Sequence, residues 1–114
     1  MSETLFLDII SRRIPANIVF ENDDVLGFAD INPQAPNHVL FVPKKHVRTI
    51  NDLKDSDAEL VGKLFLAARD YAATIGVAED GYRVVMNCNG HAGQTVWHIH
   101  LHFLAGRKLG WPPG

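Results

Sequence analysis

The sequence predicts an α+β fold, a five-stranded antiparallel sheet carrying one long and one short helix. Three observations predict it. Five short β-prone runs are joined mostly by tight turns, which favours antiparallel neighbours over the long crossovers of a parallel sheet. A long segment after Ser56 carries apolar residues at helical spacing. A chain of 114 residues is one domain by length, residues 1–114, and can bury a core without a disulfide or metal staple.

The elements follow in order. Residues 4–12 place Leu5, Ile9 and Arg12 on one side with Phe6 and Ile10 beside them, which suits a short amphipathic helix closed by Pro15. Ile18–Phe20 and Val25–Ala29 flank Asn22-Asp23-Asp24 and read as a hairpin. Asn32–Asn37 is a loop, because Pro33 and Pro36 deny it regular bonding. His38–Val42 is the third strand, ended by Pro43. Ser56-Asp57-Ala58-Glu59 has capping-box spacing and opens a helix running to about Ile75. Its stripe is Leu60, Leu64, Ala67, Ala68 and Tyr71, and Gly76 is the expected cap. Tyr82–Met86 is the fourth strand, Asn87–Gln94 a polar loop, and Thr95–Leu104 the fifth strand. The tail from Gly106 has no regular pattern.

Composition narrows the function. The net charge of −2 argues against general nucleic-acid binding, and Lys44, Lys45, His46 and Arg48 read as a solvated strand end. A single cysteine excludes an internal disulfide framework. The N-terminus carries its acids early and its arginines late, the wrong order for a signal peptide. No apolar stretch approaches a membrane span, so a cytoplasmic protein without membrane partners is expected.

The stretch Trp97–Phe103, WHIHLHF, holds three of the six histidines. His98, His100 and His102 stand at i, i+2 and i+4, so on a strand all three leave one face, roughly 7 Å apart. Ile99, Leu101 and Phe103 would face the core. Three readings compete. An exposed polar face would need three coincidences. A metal ion could be shared by two histidines at i and i+2, but the third reaches it only with strain, since His98 and His102 stand some 13 Å apart along the backbone, and no carboxylate or cysteine follows nearby to complete a set. Acid–base or nucleophilic chemistry on an anion fits best. Clustered imidazolium ions disfavour one another, so a neutral, nucleophilic ring is available near neutral pH. His100, flanked on both sides, is best placed to attack. Gly93-Gln94-Thr95 enters the strand as a turn whose N–H groups, amide and hydroxyl suit an anion.

The run His98-Ile99-His100-Leu101-His102-Phe103-Leu104 resembles the histidine-triad (HIT) family signature, three histidines alternating with apolar residues. Phe28–His38, Pro43–His46, Gly93–Val96 and Trp111–Gly114 look like its Hint branch. The resemblance covers about Leu7 to Gly114 and implies a purine nucleoside phosphoramidase. Such enzymes cleave the P–N bond of nucleoside 5′-phosphoramidates, and often acyl-adenylates, through a nucleotidyl-histidine intermediate. His100 would be the nucleophile, with Nδ1–H donating to the His98 carbonyl. His102 would contact the phosphate and the leaving-group side, and His38 would complete a tetrad. Asp30 would hold the ribose. Asn87, Gly93, Gln94, Thr95 and Val96 would lie by the phosphate and leaving group. Phe6, Ile10, Phe28 and Ile31 would form the purine slot.

The same resemblance implies a homodimer with a ten-stranded sheet, Trp111 near the partner's site, and no metal or cofactor. Thr95 and Ala92 stand where serine and glycine are common. His102, glutamine in the family's nucleotidyl transferases, points to hydrolysis. A dinucleotide polyphosphate hydrolase is the alternative. Cys88 is expected to be a partly buried small side chain, His46 a surface or dimer-contact residue, and His91 exposed.

Overall fold

The computed structural model describes residues 4–114. Met1–Glu3, part of the N-terminal stretch read above against a signal peptide, lie outside the described residues. The elements are α1 (Leu5–Ile10), β1 (Ile18–Glu21), β2 (Val25–Ala29), β3 (Asn37–Pro43), α2 (Ala58–Ile75), β4 (Tyr82–Val85), α3 (Asn89–Ala92) and β5 (Leu101–Ala105). The strands form one antiparallel sheet in the order β1-β2-β3-β5-β4. The expected fold class holds.

Strand alternation sorts the apolar residues into two layers. Val25, Val39, Phe41, Leu101 and Phe103 pack under Leu64, Ala67, Ala68 and Ala72 of α2. Leu26, Phe28, Leu40 and Val42 face the other way and meet Phe6 and Ile9 of α1. His38 and His102 belong by parity to this second face, because His102 pairs with Leu40 and His38 with Leu104. The large helix thus shapes the core on one side of the sheet, and the short helix covers the histidine side.

Gly27 shows how tight the α2 side is. A Cβ there would stand 2.8 Å from Cε1 of Phe41 and 3.1 Å from Cβ of Phe20. Phe41 is fully buried and wedged among Phe20, Tyr71 and Phe103. Gly27→Ala is therefore expected to cost about 1–3 kcal/mol by overpacking. Urea titration measures it, and an unchanged midpoint would show that the ring has room to shift.

Several boundaries differ from the sequence reading. The first helix ends at Ile10, and Arg12 adopts φ 68° and pairs with Glu21 at 2.6 Å instead of joining the Leu5–Ile9 side. No capping box forms at Ser56. Asp57 caps the preceding turn instead, its buried carboxylate accepting from Lys54 N and Lys45 Nζ at 2.9 and 2.7 Å. Gly76 closes α2 as expected, and the polar loop contains the short turn α3. The largest correction concerns the fifth strand. It begins at Leu101, so His98 and His100 lie outside it. The ladder stops after Phe41↔Leu101 because the next residues of β3 approach Pro43, which has no N–H to give.

Candidate active site

The segment before β5 is held by side chains where the ladder ends. His98 Nε2–H donates to the Pro43 carbonyl at 2.7 Å, His46 Nε2–H to the Trp97 carbonyl at 2.8 Å, and Ile99 N–H to the Val47 carbonyl at 2.8 Å. The Gln94 amide completes the frame. Its nitrogen donates to the carbonyls of Arg48 and Val96, and its oxygen accepts from Asn89 N–H at 2.8 Å. Gln94 is buried and all its amide functions are engaged, so it builds the turn where the sequence reading had it facing the leaving group.

This frame keeps the three histidines on the α1 side of the sheet but corrects the picture of an open row on a strand. His98 is fully buried, packed edge-on against Phe6 at 5.8 Å and beside His46 at 5.1 Å. Among the described residues its Nδ1 has no hydrogen-bond partner. Burial, reinforced by repulsion from His46 and His100, pulls its pKa down to about 4 although its bond to Pro43 opposes this. His98 is a neutral support beneath the site. Its main-chain carbonyl does the visible work by accepting Nδ1–H of His100 at 2.8 Å.

That bond decides the chemistry of His100. With the proton on Nδ1, Nε2 keeps a lone pair. Burial lowers the pKa of this ring too, so the lone pair is free at neutral pH. Phe6 stands edge-on to it at 5.1 Å. The neutral state that the sequence suggested through mutual repulsion thus has burial as its larger cause.

His102 lies next to it, with ring centroids 5.0 Å apart. Its tautomer follows from a chain of bonds. Gln34 N–H donates to Nδ1 of His38 at 3.0 Å, so a neutral His38 must carry its proton on Nε2. That Nε2–H reaches Nδ1 of His102 at 3.0 Å. His102 therefore accepts at Nδ1 and keeps its own proton on Nε2. Burial, then repulsion from His100 and His38, holds His102 at a pKa of about 4. Burial also lowers the pKa of His38, against the pull of Asp30. A nucleophilic lone pair and an N–H donor thus stand on neighbouring rings, where one phosphoryl group can meet both.

Asp30 closes this end. Its Oδ1 accepts Asn32 N–H at 2.8 Å and its Oδ2 lies 3.4 Å from Nε2 of His38. Asp30, His38 and His102 bring ligand atoms within 4.8 Å of one another, close enough to suggest one metal ion. The donor set argues otherwise. A metal on Nε2 of His38 would move that ring's proton to Nδ1, where it would oppose the Gln34 N–H.

The remaining candidates spread over several settings. Phe6 and Phe28 are 3 and 4 % exposed and pack edge to face with centroids 5.4 Å apart. They form the floor under the histidines and have almost no free surface to offer a purine. Ile10 and Val96 are half-buried beside them. Ile31 is fully exposed and Trp111 is 80 % exposed, so neither is gathered to this floor. Asn87 is half-buried beyond β4, and Gly93 and Thr95 are exposed on either side of Gln94. Cys88 is a half-buried free thiol and His91 is exposed, as expected. His46 is exposed too, yet its bond to the Trp97 carbonyl makes it part of the frame. Its position after Pro43-Lys44-Lys45 gave no hint of that partner, which lies 51 residues away.

An open sheet with one histidine-rich face, an imidazole locked with its Nε2 lone pair free and a donor imidazole beside it define a histidine-based site of the kind a hydrolase uses. Residues 11–109 match the HIT domain family, and the chain belongs to it as one of its hydrolases. It is 47% identical over 108 residues to the purine nucleoside phosphoramidase of Escherichia coli, covering 95% of this chain and 91% of that one. A crystal structure of a HIT family hydrolase from Legionella pneumophila is 51% identical, with a TM-score of 0.94 over 96% of this chain and 98% of that one. A histidine triad protein from Clostridium difficile superposes with a TM-score of 0.91 at 40% identity, covering 93% and 92% of the two chains.

Proposed function

We propose that this chain hydrolyses the P–N bond of purine nucleoside 5′-phosphoramidates, and acyl-adenylates, releasing AMP or GMP. The observation that carries the reading is the Nδ1–H bond of His100 to the His98 carbonyl, which leaves Nε2 free to attack. Nε2 forms a bond to the α-phosphorus and the P–N bond breaks. The amine leaves with a proton relayed from solvent through the Thr95 hydroxyl. The phosphorylated ring is then cationic, and its Nδ1–H bond to the carbonyl strengthens. His102 Nε2–H donates to a phosphate oxygen as charge builds there. Water attacks the phosphorus and gives up its proton to solvent, the bond to Nε2 breaks to restore the neutral ring, and the nucleotide departs. Asp30 takes the ribose hydroxyls, and Ile10, Ile31 and Val96 meet the base over the Phe6–Phe28 floor. The 47% identity to a named phosphoramidase supports the substrate class.

The working unit in this reading is a homodimer of single-domain subunits. Phe65 and Leu66 are each 48% exposed on α2, and β4 lies at the sheet edge. A second copy pairing along β4 would cover them and extend the sheet to ten strands. It would also bring the exposed Trp111 to the partner's site. No helix of the described residues is long and apolar enough to cross a membrane. A free thiol suits a reducing compartment, and we place the protein in the cytoplasm.

Mass spectrometry of protein quenched during turnover of adenosine 5′-phosphoramidate tests the mechanism. An adenylyl adduct on His100 is expected. Turnover with no adduct on any histidine would leave direct attack by water as the mechanism. Comparing that turnover with hydrolysis of a diadenosine polyphosphate separates the alternative within the family.

A further inference from the structure

The residue whose N–H donates to His38 is itself held by a side chain from beyond β5. Arg107 lies just beyond β5 and is exposed. Its Nε and Nη2 donate to the carbonyl of Gln34 at 3.3 and 2.8 Å, and its Nη1 donates to the carbonyl of Lys108 at 3.1 Å. Charged donors make stronger bonds than neutral ones, so this guanidinium is a firm anchor. The anchored loop needs one. Pro33 and Pro36 bracket Gln34, and neither has an N–H to tie the loop down.

Gly106 brings the two segments together. It has φ +98°, and a Cβ there would stand 2.8 Å from Cβ of Pro36. Only a residue without a side chain lets the exit of β5 lie flush on this loop. The next residue, Arg107, then falls beside Gln34.

We propose that Arg107 is a positioning residue of the active site, pinning Gln34 so that its N–H fixes the donor order from Gln34 to His38 to His102. The alternative order shows what is at stake. If Gln34 drifts away, His38 is free to hold its proton on Nδ1 and accept at Nε2. His102 would then donate from Nδ1 and present a bare Nε2 lone pair to a phosphate oxygen, which repels it. Asp30, 3.4 Å from Nε2 of His38, still favours the working order, so loss of Arg107 weakens the preference without abolishing it.

The inference rests on the reading of His102 as the phosphate contact, and the test separates the two. Arg107→Met, Arg107→Lys and the neighbouring control Lys108→Met are compared in two ways. Steady-state hydrolysis of adenosine 5′-phosphoramidate gives kcat and KM. Long-range proton–nitrogen correlation spectra of the ligand-free proteins report which ring nitrogen carries the proton.

In Arg107→Met, kcat is expected to fall about tenfold with KM nearly unchanged. The nitrogen shifts of His38 and His102 move toward mixed tautomers. Arg107→Lys restores part of both, and Lys108→Met matches the parent. If Arg107→Met does not fold, the spectra of Arg107→Lys decide. Tautomers identical to the parent in the folded variants, or a loss confined to KM, would overturn the proposal. A shifted tautomer pattern in a protein whose parent does not turn over the phosphoramidate would uphold the relay and reject the functional reading.

Discussion

His100→Ala is expected to lower phosphoramidate hydrolysis by a factor on the order of 10⁴ or more while the fold survives. The size follows from the bond that is lost. Neither other imidazole of the triad can supply the lone pair in its place. His98 is fully buried with Nε2 tied to Pro43, and His102 uses its Nδ1 to accept from His38. The structural cost is modest by comparison. The substitution removes a buried ring and leaves the His98 carbonyl without its donor, for about 1–3 kcal/mol. Binding of AMP, measured by calorimetry, should persist in this reading, since Asp30, Ile10, Ile31 and Val96 remain. Turnover within tenfold of the parent would remove His100 from the nucleophile's role. A loss of AMP binding equal to the loss of activity would make it a binding residue only.

Much of this arrangement is legible in the chain. Periodicity is a local property, and the α2 stripe and the β2–β3 alternation follow from neighbours within one segment. The pairing of His100 with the His98 carbonyl is local too, spanning two residues. What escapes the sequence is long-range. The strand reading of Thr95–Leu104 overlooked that β3 ends in Pro43, which stops the ladder and turns His98 inward. The Gln94 amide looked available for an anion because Arg48, its acceptor, lies 46 residues away. The family resemblance offered Phe6 and Phe28 as pocket walls, and a motif does not say whether an apolar side chain is covered. The donor order of the histidines depends on one main-chain N–H of Gln34, which no side-chain motif reports.

Burial of the histidines carries a second large expectation, a steep loss of stability in acid. Each of these imidazoles is ordinary in the unfolded chain and titrates near 6.5, whereas His98 and His102 titrate at about 4 when folded. The fold therefore favours the neutral rings. Their contribution is fully present above pH 6.5, falls as the unfolded state takes up protons first, and is gone once pH passes the folded pKa near 4. For fully buried His98 the loss across that window is about 3 kcal/mol. His102, partly open to solvent, adds less, and His38 and His100 shift in the same direction. Against a total of about 5–15 kcal/mol for a domain, this is enough to approach unfolding. Urea titrations from pH 7.5 to 4 should give a stability slope of at least about 1.4 kcal/mol per pH unit near pH 5. His98→Phe should flatten that slope by roughly one proton, whatever its effect at neutral pH. An unchanged slope in that variant would mean that His98 is protonated in the folded protein, and its place as a neutral support would fall.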